Sequence, residues 1–493
     1  MELLTRIFTF YQEVLDNLNP SLPHPSWLPK WLAITHVCRH WRTIALSHAP
    51  LWTSITHGLS LHWAKVFIER SQSMLMHFDI HIAPLTPQYT HIKTWHYRED
   101  IVPLLTDFTR VRSLCLTGRN KEISPVVDSL RRSLPVQSFS LCLVDNFSGF
   151  VLPDDLFGGK APIHRLQLVG GHIVAPHRLL HNVTNFTTSE PSLSELLNTL
   201  RHMSSLTYFE LQRHPYCKRP DVDKVHTLPI QMPQLMALIV GSNSPDEFML
   251  LNRLLLLPVG AKKRLELKSG RDFLCFEDPQ INGLSQVIEA ANGFQHIHFS
   301  GAQNSGSPWF RLWTGDVVTT WEDAEFCLCV RWKGEPGLSR EHLHRFTALC
   351  DALGAAQVRR FVFDSPFPGL PMLYWWNILN KLPGIEELVL YPASMHILGR
   401  AWEADLAPAV LPALRRVRVM DSEQLGLPWP QYAIVGDPPT RRIVRLSNSP
   451  EDDVSFAENE IEIMSKGLLR LLQGLGRDPN SVSKKQKGRR AQG

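Results

Sequence analysis

The chain of 493 residues has no uninterrupted run of 18 apolar residues; the nearest approach, 248–259, is broken by Asn252 and Arg253. A membrane-spanning helix needs about 20 such residues, so none is expected, and no membrane partner with it. The opening residues, with Glu2 and interleaved polar side chains, lack the basic stretch and apolar run of a signal peptide. An excess of either charge is missing too. Lys and Arg number 51 and Asp and Glu 47, a net +4, and part of that excess sits in the tail at Lys484, Lys485, Lys487, Arg489 and Arg490. The body is close to neutral, which argues against a nucleic-acid surface. Cysteine is sparse: the chain holds 8, and only Cys327 and Cys329 lie close together, two apart on one face of an expected strand. With no Cys-x-x-Cys pair, a zinc ribbon and a thioredoxin-like motif are excluded. Free thiols point to a reducing compartment, cytosol or nucleus. The sequons at Asn146, Asn182 and Asn185 then read as chance matches.

Motifs that carry chemistry are also missing. There is no Gly-x-x-x-x-Gly-Lys-Ser/Thr loop, no Gly-x-Ser-x-Gly elbow and no His-Glu-x-x-His. Gly158-Gly159-Lys160 and Gly170-Gly171-His172 read as turns. Among the 22 histidines, His36 and His40 are placed to share a helix face at i, i+4, but no third ligand is near, and His342 and His344 diverge. The reading is of a non-enzyme, with no catalytic residue, no cofactor-binding residue and no metal site.

What is present begins with two amphipathic stripes. Leu4, Ile7, Phe8 and Tyr11 recur at i, i+3, i+4 and i+7. Ile34, Val37, Cys38, Trp41 and Ala45 do so again, which predicts one helix over 34–45 with Arg39, His40, Arg42 and Thr43 on its other face. Leu51 and Trp52 add an apolar anchor beyond a break at Pro50. By periodicity alone this could be a generic three-helix cap whose stripes pack inward.

The wording is more specific than the periodicity. Glu2-Leu3-Leu4-Thr5-Arg6-Ile7-Phe8, Val37-Cys38-Arg39-His40-Trp41-Arg42 and Pro50-Leu51-Trp52 together resemble an F-box. Two features depart from the family: the usual Leu-Pro pair before the first Glu is absent, and a proline-dense insertion occupies 17–30. The resemblance covers residues 1–55. It implies a segment that docks on a Skp-family adaptor of a cullin-RING ubiquitin ligase. The residues it marks for that contact are Leu3, Leu4, Ile7, Phe8, Val37, Cys38, Trp41, Leu51 and Trp52.

From about residue 111 a short apolar-x-apolar phrase recurs, in all steps but one every 20–35 residues, at 111–116, 136–141, 163–168, 206–211, 235–240, 263–267, 297–299, 326–328, 361–363, 388–390 and 417–419. Helical text separates several of these, at 192–203, from Pro245, at 341–353 and at 372–382. Strand, turn and helix at this pitch predict a parallel sheet with helices on its convex face. The pattern resembles the degenerate leucine-rich repeats that follow many F-boxes, although the Asn that closes each repeat is missing from nearly all of them. An ordinary α/β domain with β-α units of similar length is the other possibility.

The expected organisation is therefore α/β: a three-helix F-box over 1–55, and a linker with a capping repeat over 56–110, holding a helix near 62–71 and a strand near 78–82. An irregular leucine-rich-repeat-like solenoid fills 111–428, an irregular segment with a last helix (456–475) spans 429–475, and a disordered basic tail covers 476–493. That tail reads either as solubilising or as a nuclear import signal. Trp309, Trp313, Trp375 and Trp376 read as core or as recognition aromatics. The functional expectation is a substrate-recognition subunit of an SCF-type ligase that holds a target protein, itself not legible, on the solenoid. The alternative is a repeat-type scaffold whose F-box recruits no ligase.

Overall fold

The computed structural model describes residues 2–18, 30–56, 59–82, 104–105, 109–145, 150–190, 192–213, 228–242, 245–269, 287, 293–300, 309–315, 323–332, 350, 357–364, 379–390, 413–419, 431–435 and 442–446. It is mixed α/β with a large, mostly parallel sheet. The chain divides into two compact units, Met1–Val240 with Leu250–Ala261, and Gly241–Met249 with Lys262–Gly493. The division falls inside the span expected as one solenoid.

The first unit opens with α1 (Glu2–Leu18), a 3-10 segment at Lys30–His36, α2 (Arg39–Ser47) and a second 3-10 turn at Ala49–Trp52. Two α-helices and two 3-10 segments thus stand where three helices are expected. The single helix read over 34–45 is broken at Val37 and Cys38. Cys38 is extended (φ −156°, ψ 170°), and its Sγ accepts the Trp41 N–H at 3.4 Å. A helix starting at Arg39 leaves free N–H groups, and the sulfur supplies one acceptor, so the apolar rhythm runs across a cap. His36 and His40 consequently lie on separate segments and share no helix face.

Strands β1 (Ser54–Thr56), β2 (Met76–His81), β3 (Val111–Gly118), β4 (Ser138–Leu143), β5 (Phe150–Val151), β6 (Arg165–Val169), β7 (Gly171–His172), β8 (Asn185–Thr188), β9 (Tyr208–Gln212), β10 (Ile230–Gln231) and β11 (Ala237–Ser242) follow. In the main sheet β1, β2, β3, β4, β6, β8 and β9 pair in that order, every pair parallel. β9 then pairs with β11. The register lines up Ile55, Phe78, Leu114, Phe139, Leu166, Phe186 and Phe209 in one row. All seven are buried. At about 1.5–3 kcal/mol for each large apolar side chain buried, this row contributes substantially to the stability of the unit. Because side chains alternate along a strand, slipping any strand by one residue would turn its row member outward.

Helices close the connections. α3 (Leu61–Arg70) joins β1 to β2, α4 (Asn120–Ser129) joins β3 to β4, and α5 (Leu193–Leu200) joins β8 to β9. In α5 the expected face is the buried one: Leu193, Leu196, Leu197 and Leu200, with Ser192 Oγ accepting the Glu195 N–H at 3.3 Å. The first strand is β1, so the β2 repeat is not the end of the sheet as expected. β8 was not legible, since Asn185-Phe186-Thr187-Thr188 carries one large apolar residue. It is a strand because Phe186 fills the row and stacks on Phe209 at 5.9 Å. The expected helix from Pro245 is α6 (Pro245–Leu254), with Asp246 and Glu247 in its first turn. Beyond it, β12 (Leu255–Leu256) pairs in parallel with β10.

The second unit holds β13 (Lys262–Ser269), β14 (His296–Ser300), β15 (Trp309–Trp313), β16 (Phe326–Trp332), β17 (Arg360–Asp364), β18 (Glu387–Leu390), β19 (Arg416–Val419), β20 (Gln431–Val435) and β21 (Arg442–Leu446). Their order in the sheet is β13, β16, β15, β14, β17, β18, β19, β20, β21. A uniformly parallel sheet in chain order is therefore corrected here. β15 runs antiparallel to both β14 and β16. The link from Ser300 to Trp309 is shorter than the crossover of about a dozen residues that a parallel return needs, so the chain turns back directly. Leu312 sits in register between Ile297 and Leu328, and all three are fully buried. A second correction concerns 429–454, expected to be irregular. β20 and β21 form an antiparallel pair there, because Gln431–Val435 and Arg442–Leu446 are rich in β-branched and aromatic residues.

Of the expected helices over 341–353 and 372–382 only 350 and 379–382 are described, with 350, 379 and 380 helical. The rest of both, the expected helix over 456–475, the residues Trp375 and Trp376, most of the linker after residue 82, residues 19–29 and the basic tail lie outside the described residues.

Candidate interaction surface

With 100° between successive residues, the apolar positions of α1 up to Tyr11 cover an arc of roughly 160°, and the core takes only one edge of it. Phe8 is 1% exposed, whereas Leu3 (73%), Ile7 (46%), Phe10 (67%) and Tyr11 (40%) face outward. Val37, in the break before α2, is 60% exposed. Cys38 beside it is exposed as well. Leu4 and Trp41 lie at the border, half-buried.

Apart from Leu4 and Trp41, the nine residues marked by the sequence thus sort into two groups. Leu3, Ile7, Val37 and Cys38 are surface. Phe8, Leu51 and Trp52 are core and meet no partner while the unit stays packed. Trp52 lies edge-on to Trp31 at 5.0 Å and to Phe67 at 4.9 Å, and the Arg70 guanidinium stands 4.8 Å over its ring. Its Nε1–H donates to the Ala45 carbonyl at 2.9 Å, fixing the end of α2. Arg42 Nε donates to the Thr35 carbonyl at 2.7 Å and ties α2 to the 3-10 segment. Phe10 and Tyr11 belong to the outward face and Trp31 to the core. Phe10 was missed because it falls outside the i, i+3, i+4 stripe, and Trp31 because it adjoins the proline-dense insertion.

A second surface is the polar face of the first sheet. Opposite the buried row, Asp79, Cys115, Ser140, Gln167, Thr187 and Glu210 stand in register. All are half-buried. Side chains link along it: Ser140 Oγ to Gln167 Oε1 at 3.2 Å, and Tyr208 Oη to Glu210 Oε2 at 2.9 Å, with Gln212 Nε2 donating to Glu210 Oε1 at 2.7 Å. Burial, with the Asp79 carboxylate nearby, pushes the Cys115 thiol up to about 12, so it stays protonated.

In the second unit the corresponding face carries charge. Arg264 bridges Glu266 at 2.6 Å and Arg360 bridges Glu387 at 3.3 Å. Burial, with the positive charges of Arg311 and Arg360, pushes His298 down to about 3. Trp313 is buried and stacks on His296 at 5.1 Å, a core aromatic and not a recognition one.

Among the described residues no group of three His, Cys, Asp or Glu side chains is placed to hold a metal ion. No helix among them is long and apolar enough to cross a membrane. What the first unit offers chemically is an apolar helix face on a packed aromatic base, and a polar sheet face. No protein-family model matches the chain, and no curated protein matches it.

Proposed function

We propose that the chain is a substrate-recognition subunit of an SCF-type cullin-RING ubiquitin ligase. In this reading the outward face of α1, with Val37 and Cys38, docks on a Skp-family adaptor. The sheets, read as an irregular leucine-rich-repeat-like solenoid, hold the target protein in the cytosol or nucleus. The observation that carries it is the coincidence of the F-box-like wording with an apolar face left outside the core. Exposed apolar residues grouped on one helix are costly in water unless a partner covers them. The chain-order parallel sheet after it supports the repeat reading. Catalysis in such a complex is by proximity: the bound target is held near the activated ubiquitin, and no side chain of this chain reacts.

The test is calorimetric titration of the full chain with a Skp-family adaptor, using the wild type and Ile7→Lys. Ile7 is surface, so the variant should keep its unfolding transition while affinity falls at least tenfold. A well-folded wild-type chain that binds no such adaptor sinks the ligase reading and leaves the scaffold one.

A further inference from the structure

Where β8 hands over to α5, a glutamate sits inside the fold. Glu190 is 5% exposed. Its N–H donates to Thr188 Oγ1 at 3.1 Å, and its Oε1 accepts the Ser192 N–H at 3.1 Å. Ser192 in turn caps α5 through its contact with the Glu195 N–H, and the preceding Ser189 Oγ accepts the Gly170 N–H at 2.8 Å. The strand end, the turn and the first turn of the helix are therefore one hydrogen-bonded joint, with a carboxyl group at its centre. Two charged groups act on that carboxyl: Glu195 in the first turn of α5, and Arg213 just past β9. Glu195 is exposed and Arg213 buried.

We propose that Glu190 makes the β8–α5 joint pH-responsive, closed while its buried carboxyl holds a proton and loosened once that carboxyl is ionised. This goes beyond the ligase reading and does not depend on it. Burial is the largest influence on Glu190, and Glu195 adds to it both by repulsion and by accepting a hydrogen bond from the protonated form. The Ser192 N–H and Arg213 act the other way, and the group is left at about 7 against an ordinary 4.5. The sign follows from that order. An opened joint exposes an ordinary glutamate, so opening releases the proton that the closed joint holds. Raising the pH from the ordinary value towards about 7 therefore favours opening, and the effect levels off above that.

The experiment is hydrogen exchange on the full chain at pH 6 and pH 8, following amides of residues 192–200 after correction for the intrinsic rate. The expected result is an opening equilibrium about tenfold larger at pH 8 in the wild type. Glu190→Gln should lower that ratio to below about twofold, and Glu195→Gln should leave an intermediate ratio. Amides of β4, remote from the joint in the sheet, should keep their protection throughout. Equal opening at the two pH values in the wild type overturns the proposal. So does an undiminished ratio in Glu190→Gln or, should that variant not fold, in Glu195→Gln.

Discussion

The Trp41 ring lies 5.3 Å from that of Phe8, tilted 59° to it, and this contact presses α2 against α1. Phe8 is buried on the inner edge of the α1 arc, while Ile7 next to it in sequence faces out. Two neighbouring apolar residues thus serve different ends.

Trp41→Ala and Ile7→Lys should separate those ends. Trp41 is only half-buried, so its loss should cost about 1–3 kcal/mol of unfolding free energy, below the ~3–5 of a fully buried Trp. Ile7→Lys should change stability by less than about 0.5 kcal/mol. Urea unfolding measures both. A large stability loss for Ile7→Lys would place Ile7 in the core and refute the outward face.

Trp52 holds the base of the helical segment. Trp52→Ala should cost about 3–5 kcal/mol. Trp52→Phe keeps an aromatic body but abandons the bond to the Ala45 carbonyl, and about 1–2 kcal/mol should follow. The Phe variant unfolding as readily as the Ala variant would mean that the hydrogen bond, and not the packing, dominates.

Acid should weaken the fold through His298. Its folded value, about 3, lies below the ordinary 6.5, so the unfolded chain takes up the proton first. Its contribution is complete above about pH 6.5 and is lost as pH falls towards 3, at about 1.4 kcal/mol per unit. Burial lowers His48, His77 and His177 in the same direction, while the raised Glu190 opposes them. Comparing His298→Gln with the wild type at pH 7 and pH 5 isolates the one group. The variant should lose less stability on acidification, and parallel losses would contradict the burial of His298.

Gly170 follows β6 with φ +79°, and a Cβ there would stand 2.9 Å from Leu143 Cβ and 3.2 Å from the Leu143 carbonyl oxygen. Strain and collision act together, so Gly170→Ala should cost roughly 2–3 kcal/mol. A thermal midpoint within a degree of the wild type would show that the turn relaxes freely.

The described cysteines should differ in reactivity. Cys38 is exposed, whereas Cys115 and Cys327, each pushed up to about 12 mainly by burial, remain thiols. Iodoacetamide at pH 8 should modify Cys38 in the native chain and reach the other two only with denaturant. Rapid native labelling of Cys115 would show the polar face to be more open than described.

Local rhythm carries much of this architecture. The i, i+3, i+4 stripe of Leu193, Leu196, Leu197 and Leu200 and the short apolar phrases around Leu114, Phe139, Leu166 and Phe209 are written in single segments, because a helix face and a strand face are defined by neighbours in sequence. The break at Cys38 was hidden because a cap and a helical position can hold the same residue. Which side chain accepts an N–H is a matter of backbone angle.

The division of the α1 arc into surface and core was decided by what packs beside it. Phe8 is inside because Trp41 comes back against it from 33 positions along the chain. Ile7, Phe10 and Val37 have no such neighbour among the described residues and remain on the surface. The same holds for β8 and β15, whose strand character rests on an open place in a row of buried side chains. Periodicity is a property of one segment, whereas burial and strand order depend on contacts between distant segments. For that reason the elements were legible in the chain, and the surface and the topology required the tertiary structure.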